Sequence, residues 1–332
     1  MNDDIMDIFE EFVEDYIPEE KQEEIPDPEV QAAEEAAKRE TEENDSEREA
    51  WIKRSKEKRD AAFANIKAES EKVFKKRTEL IDYLTVQAYF DRYPVRNCLL
   101  ITAQLPGATR LKPFDEWKDE GRHIKKGAKA ITLLEPGEEY TRRDGTVGRY
   151  YNTRALFDIS QVTGGKYISS AHDGDVKEKL KWLFKTAKAL DLNPRSYGED
   201  GGRAAFYQQT KDAIYINTSV GFEIVYPQLC VELAHAVIAN GHKDYTRRQY
   251  GSICEMAGYI MCVRNNVSVS EDAIPLRIAP GYEELKEKEV IKILEEVRSA
   301  ANTLSLTIHT LKEGEMRERQ KTEIHQPQSK GL

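Results

Sequence analysis

The chain of 332 residues has few cysteines and no long apolar run. Its four cysteines, Cys98, Cys230, Cys254 and Cys262, lie in apolar segments without C-x-x-C spacing, so neither a disulfide framework nor a cysteine zinc site is predicted. No apolar run reaches the roughly 18–20 residues of a membrane span. The N-terminus is acidic where a signal peptide would be basic. We therefore expect a cytoplasmic protein that does not bind a membrane.

Positive charge is scarce at the start of the chain and in excess after it. Residues 1–50 contain 21 acidic and 4 basic side chains, a balance of −17. Residues 51–332 contain 39 acidic and 46 basic side chains, a balance of +7. Because binding depends on the local field at one surface, a mildly basic body can bind nucleic acid although the whole chain carries −10.

Length and patterning predict an α+β protein of two domains, since 332 residues are too many for one ordinary domain. The acidic tail has apolar residues at helical spacing (Ile5, Phe9, Phe12 and Tyr16) that suit a protein partner, although a solvated tail is the simpler interpretation. In chain order we predict a disordered acidic tail (1–45), a charged helix (46–84), a small α+β domain (85–166), a mainly helical domain (167–312) and a polar tail (313–332).

Hydrophobic patterning also predicts the elements of the two domains. In the first, RNCLLITAQ and AKAITLLEP are expected to be buried strands, with a short helix over PFDEWKDEG that ends at Gly121. The turn Arg143-Asp144-Gly145 predicts a hairpin. In the second, the strands RAAFYQQ and DAIYINT are followed by the helices YPQLCVELAHAVIAN and SICEMAGYIMCVRNN, with further helices over 175–192 and 290–311.

A glutamate and a histidine interrupt one of these apolar helices. Burial of Glu232 or His235 without a partner would be costly. In HExxH zinc hydrolases two histidines four residues apart bind the metal, and the glutamate beside the first activates its water. Here the segment is Val231-Glu232-Leu233-Ala234-His235, so a valine occupies the first ligand position. Glu255, on the next predicted helix, would be a third ligand.

Three interpretations of Glu232, His235 and Glu255 stay open: a buried hydrogen-bonded remnant, a weak metal site, or a peptidase site with Glu232 as general base. Val231 offers no lone pair, and Cys230 would point about 100° away from the required helix face. His242, seven residues after His235, is a further candidate ligand. Loss of a ligand should weaken zinc binding strongly. The pattern favours the hydrogen-bonded remnant. We therefore expect no cofactor and no enzymatic activity, with zinc at an incomplete site as the alternative.

The small domain also combines basic and aromatic side chains. Single-stranded nucleic acid is bound by a cationic groove that follows the phosphates and by rings on which bases stack. The simpler alternative, without a binding function, is that the rings belong to the core and the cations to the solvated surface. The candidate DNA-contacting residues are Tyr93, Arg96, Trp117, Arg122, Lys125, Lys126, Lys129, Arg142, Arg143 and Tyr150.

Segments within residues 80–310 resemble the two domains of a known family, and they follow one another in the same order as those domains. RYPVRNCLLITAQLPGATRLKPFDEWKDEGRHIKKGAKAITLLEP, followed by RALFDISQVTG, resembles the N-terminal single-stranded-DNA-binding domain of ArdC-type antirestriction proteins. AAFYQQTKDAIYINTS, CVELAHAVIANGH and CEMAGYIMC are similar to the zincin-like metallopeptidase domain of that family. The first resemblance depends on a set of residues: Asn97, Gln104, Pro106, Trp117, Gly121-Arg122, Lys126-Gly127 and Phe157-Asp158-x-x-Gln161.

The resemblance implies a single-stranded-DNA-binding protein of a plasmid or conjugative element that handles or protects transferred DNA. It aligns Glu232 with the family's catalytic glutamate, His235 with its second zinc histidine and Glu255 with its third ligand, while Val231 replaces the first. The resemblance therefore implies a zincin-like domain that has lost its peptidase activity. Two other classes compete: an active zinc metallopeptidase acting at DNA, and an interaction scaffold that uses the acidic segment.

Overall fold

The computed structural model describes residues 28–165 and 175–324, with the side chains of residues 47–165 and 175–320. The chain divides into two compact units, Met1–Lys56 and Glu57–Leu332. Helices and strands are both present, so the predicted α+β class is confirmed. The predicted boundary between residues 166 and 167 lies outside the described residues, and the division into two domains stays a prediction. The apolar residues of the tail, Ile5 to Tyr16, also lie outside the described residues.

Three helices open the described chain: α1 (Pro28–Lys72), α2 (Arg77–Tyr89) and α3 (Val95–Gln104). Helix α1 begins before the predicted Ser46, because the stretch after Pro28 is rich in alanine and glutamate and contains no further proline. The predicted single helix over 46–84 is broken near residues 73–76, where Val73 and Phe74 are buried in the core.

The predicted strand over RNCLLITAQ is wrong, because this segment is helix α3. Seven of its ten residues are buried, and a short apolar run such as CLLIT does not by itself distinguish a helix from a strand. The side-chain amides of Asn97 and Gln104 join helix α3 to the edge of the neighbouring strand. Asn97 exchanges hydrogen bonds of 2.9 and 3.0 Å with the backbone of Leu134, and Gln104 exchanges bonds of 3.0 and 2.9 Å with Thr132.

A hairpin follows α3, with short elements beside it. The predicted short helix, second strand and hairpin are confirmed. The left-handed φ of +70° at Gly121 suits a glycine after the short helix. The bounds are β1 (Leu111–Lys112), α4 (Phe114–Asp119), β2 (His123–Ile124), β3 (Ile131–Thr141), β4 (Val147–Asp158) and β5 (Val162–Thr163). Strand β4 lies between β1 and β3, and β2 pairs with β5, all antiparallel.

The remaining elements place helices around a small mixed sheet. The strand order is β6-β8-β7, with β6 parallel and β7 antiparallel to β8. Strand β6 escapes prediction because NPRSY lacks apolar alternation. The bounds are α5 (Val176–Ala189), β6 (Asn193–Tyr197), β7 (Ala205–Gln208), β8 (Ala213–Asn217), α6 (Phe222–Gly241), α7 (Arg247–Arg264) and α8 (Glu287–Ile324).

Helix α6 is the apolar helix that carries Glu232 and His235. By length and composition alone it is long and apolar enough to cross a membrane. Most of its side chains are nevertheless buried within the protein. It packs against α7, α8, β7 and β8, as the core helix of a folded domain does.

Candidate nucleic-acid interface

The outer half of the β3–β4 hairpin carries two tyrosines side by side. The ring of Tyr140 lies over its cross-strand partner Gly148, where a Cβ atom would be 2.5 Å from the ring. The missing side chain lets Tyr140 reach Tyr150, and the two ring centroids are 4.4 Å apart. The guanidinium carbon of Arg142 lies 5.8 Å from the centre of the Tyr140 ring, a cation–π distance. Tyr150 is 56% exposed, so its ring is open to a ligand, while Tyr140 is half-buried.

The turn of the hairpin fixes the backbone of two arginines. Arg142 N donates a 2.7 Å bond to the Thr146 carbonyl, and the Asp144 carboxylate accepts bonds from the amide and hydroxyl of Thr146. These bonds, the hydroxyl one first, lower the pKa of Asp144. Arg143 is exposed, and its side chain has no hydrogen bond or ion pair within the described residues. A cation is therefore available at the tip of the hairpin.

The predicted lysines occupy the other end of strand β3. Lys125, Lys126 and Lys129 lie in the turn between β2 and β3 and are exposed. Lys125 Nζ donates a 2.7 Å bond to the Ser160 carbonyl. Because β3 has 11 residues at about 3.3 Å each, this turn is roughly 30 Å from the hairpin tip. The predicted lysines and the two arginines of the hairpin tip therefore form two groups rather than one.

Two predicted contact residues, Tyr93 and Arg96, lie at the start of α3. Both are partly buried. The ring of Tyr93 stacks on Phe90 with the centroids 5.8 Å apart, and burial raises its pKa. Tyr93 is therefore less open to a base than Tyr150.

Trp117 is fully buried and presents no ring face to a base. Its Nε1–H donates a 2.8 Å bond to the Phe157 carbonyl, which satisfies the indole and allows its burial. The predicted role of Trp117 as a stacking platform is therefore corrected. Arg122 is buried as well, and its Nη1 donates a 2.9 Å bond to the Gly164 carbonyl.

Three cations surround the Trp117 ring. The distances to the ring centroid are 5.5 Å for the guanidinium carbon of Arg110, 5.5 Å for Lys112 Nζ and 5.8 Å for the guanidinium carbon of Arg122. The same three side chains converge on the carboxylate of Glu120. The hydrogen bond from Lys112, followed by the charges of all three cations, lowers the pKa of Glu120. Three positive charges thus share one negative charge.

In the second half of the chain, the buried Glu232 is paired with Arg247, the first residue of α7. Arg247 Nη1 donates to Oε1 at 2.9 Å and Nη2 to Oε2 at 2.6 Å. Oε2 also accepts a 2.6 Å bond from the amide of Tyr207, and Arg247 Nη2 lies 2.9 Å from the Tyr207 carbonyl. Both carboxylate oxygens therefore have partners. No sequence motif marks Arg247, since it lies fifteen residues after Glu232.

His235 has a different set of neighbours. Its Nδ1 lies 2.9 Å from the Tyr245 hydroxyl and 3.0 Å from Cys254 Sγ. Burial, with a smaller contribution from Arg247, lowers the pKa of His235 to about 3, so the ring is neutral at physiological pH. Burial also raises the pKa of the Cys254 thiol.

Glu255 and His242, the other candidate ligands, contact groups of their own. The Glu255 carboxylate accepts a 2.7 Å bond from the amide of Arg277 and lies 3.4 Å from its guanidinium, while burial raises its pKa. His242 Nε2 lies 2.7 Å from Glu296, on α8. In the part of the chain that the structure describes, no three His, Cys, Asp or Glu side chains are grouped as metal ligands.

The first ligand position, Val231, lies where α6 meets α7. A Cβ atom added at Gly258 would be 2.6 Å from Val231 Cγ2 and 2.9 Å from its amide nitrogen. Here the helices are in close contact, with a valine that has no donor atom. Since Glu232 is also bound by a guanidinium, these residues do not fit a zinc ion.

The described residues thus define an α+β protein with two arginines at the tip of an aromatic hairpin and a helical half whose buried glutamate is held by arginine. No protein-family model matches the chain. It is 23% identical over 308 residues to an uncharacterized protein of Bacillus anthracis. The match covers 75% of this chain and 51% of that protein. The chain therefore spans about half the length of this curated relative.

The chain is also similar to crystal structures of the antirestriction protein ArdC from the R388 plasmid. For the metal-free structure the identity is 17%, the coverage 66% of this chain and 86% of that one, and the TM-score 0.47. For the Mn(II)-bound structure the identity is 16%, the coverage 70% and 97%, and the TM-score again 0.47. Likeness at this level leaves the function to be argued from this chain's own residues.

Proposed function

We propose that the protein binds single-stranded DNA through the outer half of the β3–β4 hairpin. The observation that carries this proposal is the pair formed by the exposed Tyr150 and the half-buried Tyr140, beside Arg142 and Arg143. Bases stack on such rings with about 1–3 kcal/mol each, and guanidinium groups bind phosphates. Stacking does not read the edges of the bases, so sequence preference should be low.

The lysine turn at the other end of β3 extends this contact. Lys126 and Lys129 are exposed and suit phosphates of a strand that runs along the hairpin. The separation of roughly 30 Å means that a short oligonucleotide engages one end only. Affinity should therefore rise with oligonucleotide length until both ends are reached.

In this proposal the α6–α7 constellation is structural, and the protein is a binding protein rather than a peptidase. A general base beside a metal needs a carboxylate free to take a proton from water. Both oxygens of Glu232 are instead bound by Arg247 and by the Tyr207 amide. The ArdC-like motif set suggests a setting: protection or handling of transferred plasmid DNA in the cytoplasm.

Fluorescence anisotropy of labelled oligonucleotides over a salt series tests the proposal. The protein should prefer single-stranded DNA to duplex, with log affinity falling against log salt by about 0.7 per phosphate contact. Tyr150→Ala should lower affinity about tenfold, since a base stack contributes about 1–3 kcal/mol. Arg143→Ala should make the salt slope shallower by about 0.7.

Matched controls use an exposed aromatic and an exposed arginine from other elements. Phe222, at the start of α6, is 42% exposed, and the Arg317 side chain on α8 is 75% exposed. Phe222→Ala and Arg317→Ala should bind DNA as the unmodified protein does. Equal binding of single strand and duplex, or unchanged affinity in both hairpin variants, would overturn the proposal.

A further inference from the structure

Three basic side chains meet at one carboxylate beside α4. Arg110 Nη2 lies 3.1 Å from Glu120 Oε1, Lys112 Nζ donates to the same oxygen, and Arg122 Nε is 3.7 Å from Oε2. The cations come from both sides of α4 in the chain, so the fold brings them together. The cluster keeps an excess of positive charge after Glu120 is counted.

Groups other than Glu120 hold the backbone of Arg110 and the side chain of Arg122. The amide of Arg110 donates a 2.8 Å bond to the buried Asp158, which also caps the turn after β4. The side chain of Arg122 is 9% exposed and donates to the Gly164 carbonyl. All three cations also lie within cation–π distance of the buried Trp117 ring. The site would therefore persist if Glu120 turned away.

Glu120 is placed so that it can turn away. It follows the last residue of α4, and its side chain is 32% exposed. Carboxylate and phosphate oxygens both accept charge-assisted hydrogen bonds from arginine and lysine. An incoming phosphate can thus take over the contacts that Glu120 makes now.

We propose that Arg110, Lys112 and Arg122 bind one backbone phosphate of single-stranded DNA, and that Glu120 competes with this phosphate for them. The inference rests on the proposed function, because the cluster would contact the same DNA strand at the lysine-turn end of β3. The cluster lies where β1 pairs with the end of β4, beside the lysine turn, since the amide of Lys125 donates to the Gln161 carbonyl just after β4. Trp117 acts as a positioning residue that holds the cations.

Two variants with the same change in net charge test the competition. Glu120→Gln removes the competing charge and keeps the side-chain size. Asp119→Asn makes the same charge change one residue earlier, at an exposed carboxylate that none of the three cations contacts within the described residues. In the anisotropy assay at low salt, Glu120→Gln should bind single-stranded DNA at least about fivefold more tightly than Asp119→Asn. Its salt slope should be steeper by about 0.7, the value for one more phosphate contact.

A local readout uses inorganic phosphate and the fluorescence of Trp117. The chain has three tryptophans, so Trp51→Phe and Trp182→Phe leave Trp117 as the emitter. Phosphate should change this emission at a lower concentration in Glu120→Gln than in Asp119→Asn. Should Glu120→Gln not fold, Lys112→Gln is the second variant, and its salt slope should be shallower by about 0.7.

The outcomes separate this inference from the proposed function. Equal behaviour of Glu120→Gln and Asp119→Asn in both assays, or an unchanged slope in Lys112→Gln, would overturn the phosphate site. If Tyr150→Ala still lost affinity in that case, the proposed function would stand. If no variant bound single-stranded DNA while phosphate still acted preferentially on Glu120→Gln, the DNA function would fail and an anion site would remain.

Discussion

At the scale of single residues, the ion pair with Arg247 offsets the free-energy cost of burying the Glu232 carboxylate. Breaking a buried ion pair from one side costs about 3–5 kcal/mol, because the other charge is left without a partner. The Arg247 side chain is 37% exposed, so water can replace part of the interaction. We expect Arg247→Met to lower the free energy of unfolding by about 2 kcal/mol, measured by urea denaturation. Arg248→Met, at the exposed neighbouring position, should have no comparable effect, and equal losses would contradict the structural role of the pair.

Restoring the missing histidine should not restore a zinc site. Val231→His would place a larger side chain against the backbone at Gly258, and overpacking typically costs about 1–3 kcal/mol. The guanidinium of Arg247 on Glu232 would also repel a divalent cation. We expect the variant to melt at a lower temperature than the unmodified protein, with and without added zinc. A melting temperature that rose by several degrees with zinc would show that the site can still be completed.

Sequence reasoning found the site residues whose signal lies within one helix and missed those whose contacts join distant positions. Glu232 and His235 stand out because polar side chains in an apolar helix need partners, and both are buried with partners. Arg247 and Glu120 are missed because their contacts join positions that no helical or strand period relates. Tyr140 carries a weak signal, since the opposing Gly148 becomes informative only when the strand register is known.

At the scale of elements, the contact between α6 and α7 depends on a glycine. A Cβ atom at Gly258 would be 2.6 Å from Val231, whereas one at Gly251, on the same helix, would have no neighbour within 4 Å. Alanine is favoured over glycine inside a helix by about 0.5–1 kcal/mol. Gly251→Ala should therefore raise the melting temperature slightly, and Gly258→Ala should lower it by the equivalent of about 1–3 kcal/mol. Similar shifts of one sign in both variants would argue against the close helix contact.

The elements that sequence reasoning identified are those with a local signal. The hairpin is predictable because the turn at Asp144-Gly145 has its own chemistry, with Gly145 at a φ of +82°. Helix α3 is not, because an apolar run buried on most sides fits a helix and a strand equally well, and the bonds of Asn97 and Gln104 to β3 appear only in three dimensions. Strand β6 depends on pairing with β8 rather than on its own composition.

At the scale of the whole molecule, the uneven charge distribution predicts an effect on DNA binding. Residues 1–45 contain 19 acidic and 3 basic side chains, whereas the rest of the chain is basic. Near a DNA-binding surface such a segment would repel phosphates or compete for their cations. Deleting residues 1–45 should therefore tighten the binding of single-stranded DNA several-fold at low salt.

The salt dependence of that effect separates charge from bulk. Screening shortens the Debye length from about 30 Å at 0.01 M to about 10 Å at 0.1 M salt, so a long-range electrostatic effect should fade over this range. A full-length variant with the acidic residues of 1–45 changed to Asn or Gln should bind as the deletion does, because it lacks the charge but keeps the segment. A gain that persists at high salt, or that the neutralised variant does not reproduce, would point to steric hindrance. Equal affinities for all three proteins would show that the acidic segment acts on neither the hairpin nor the Glu120 cluster.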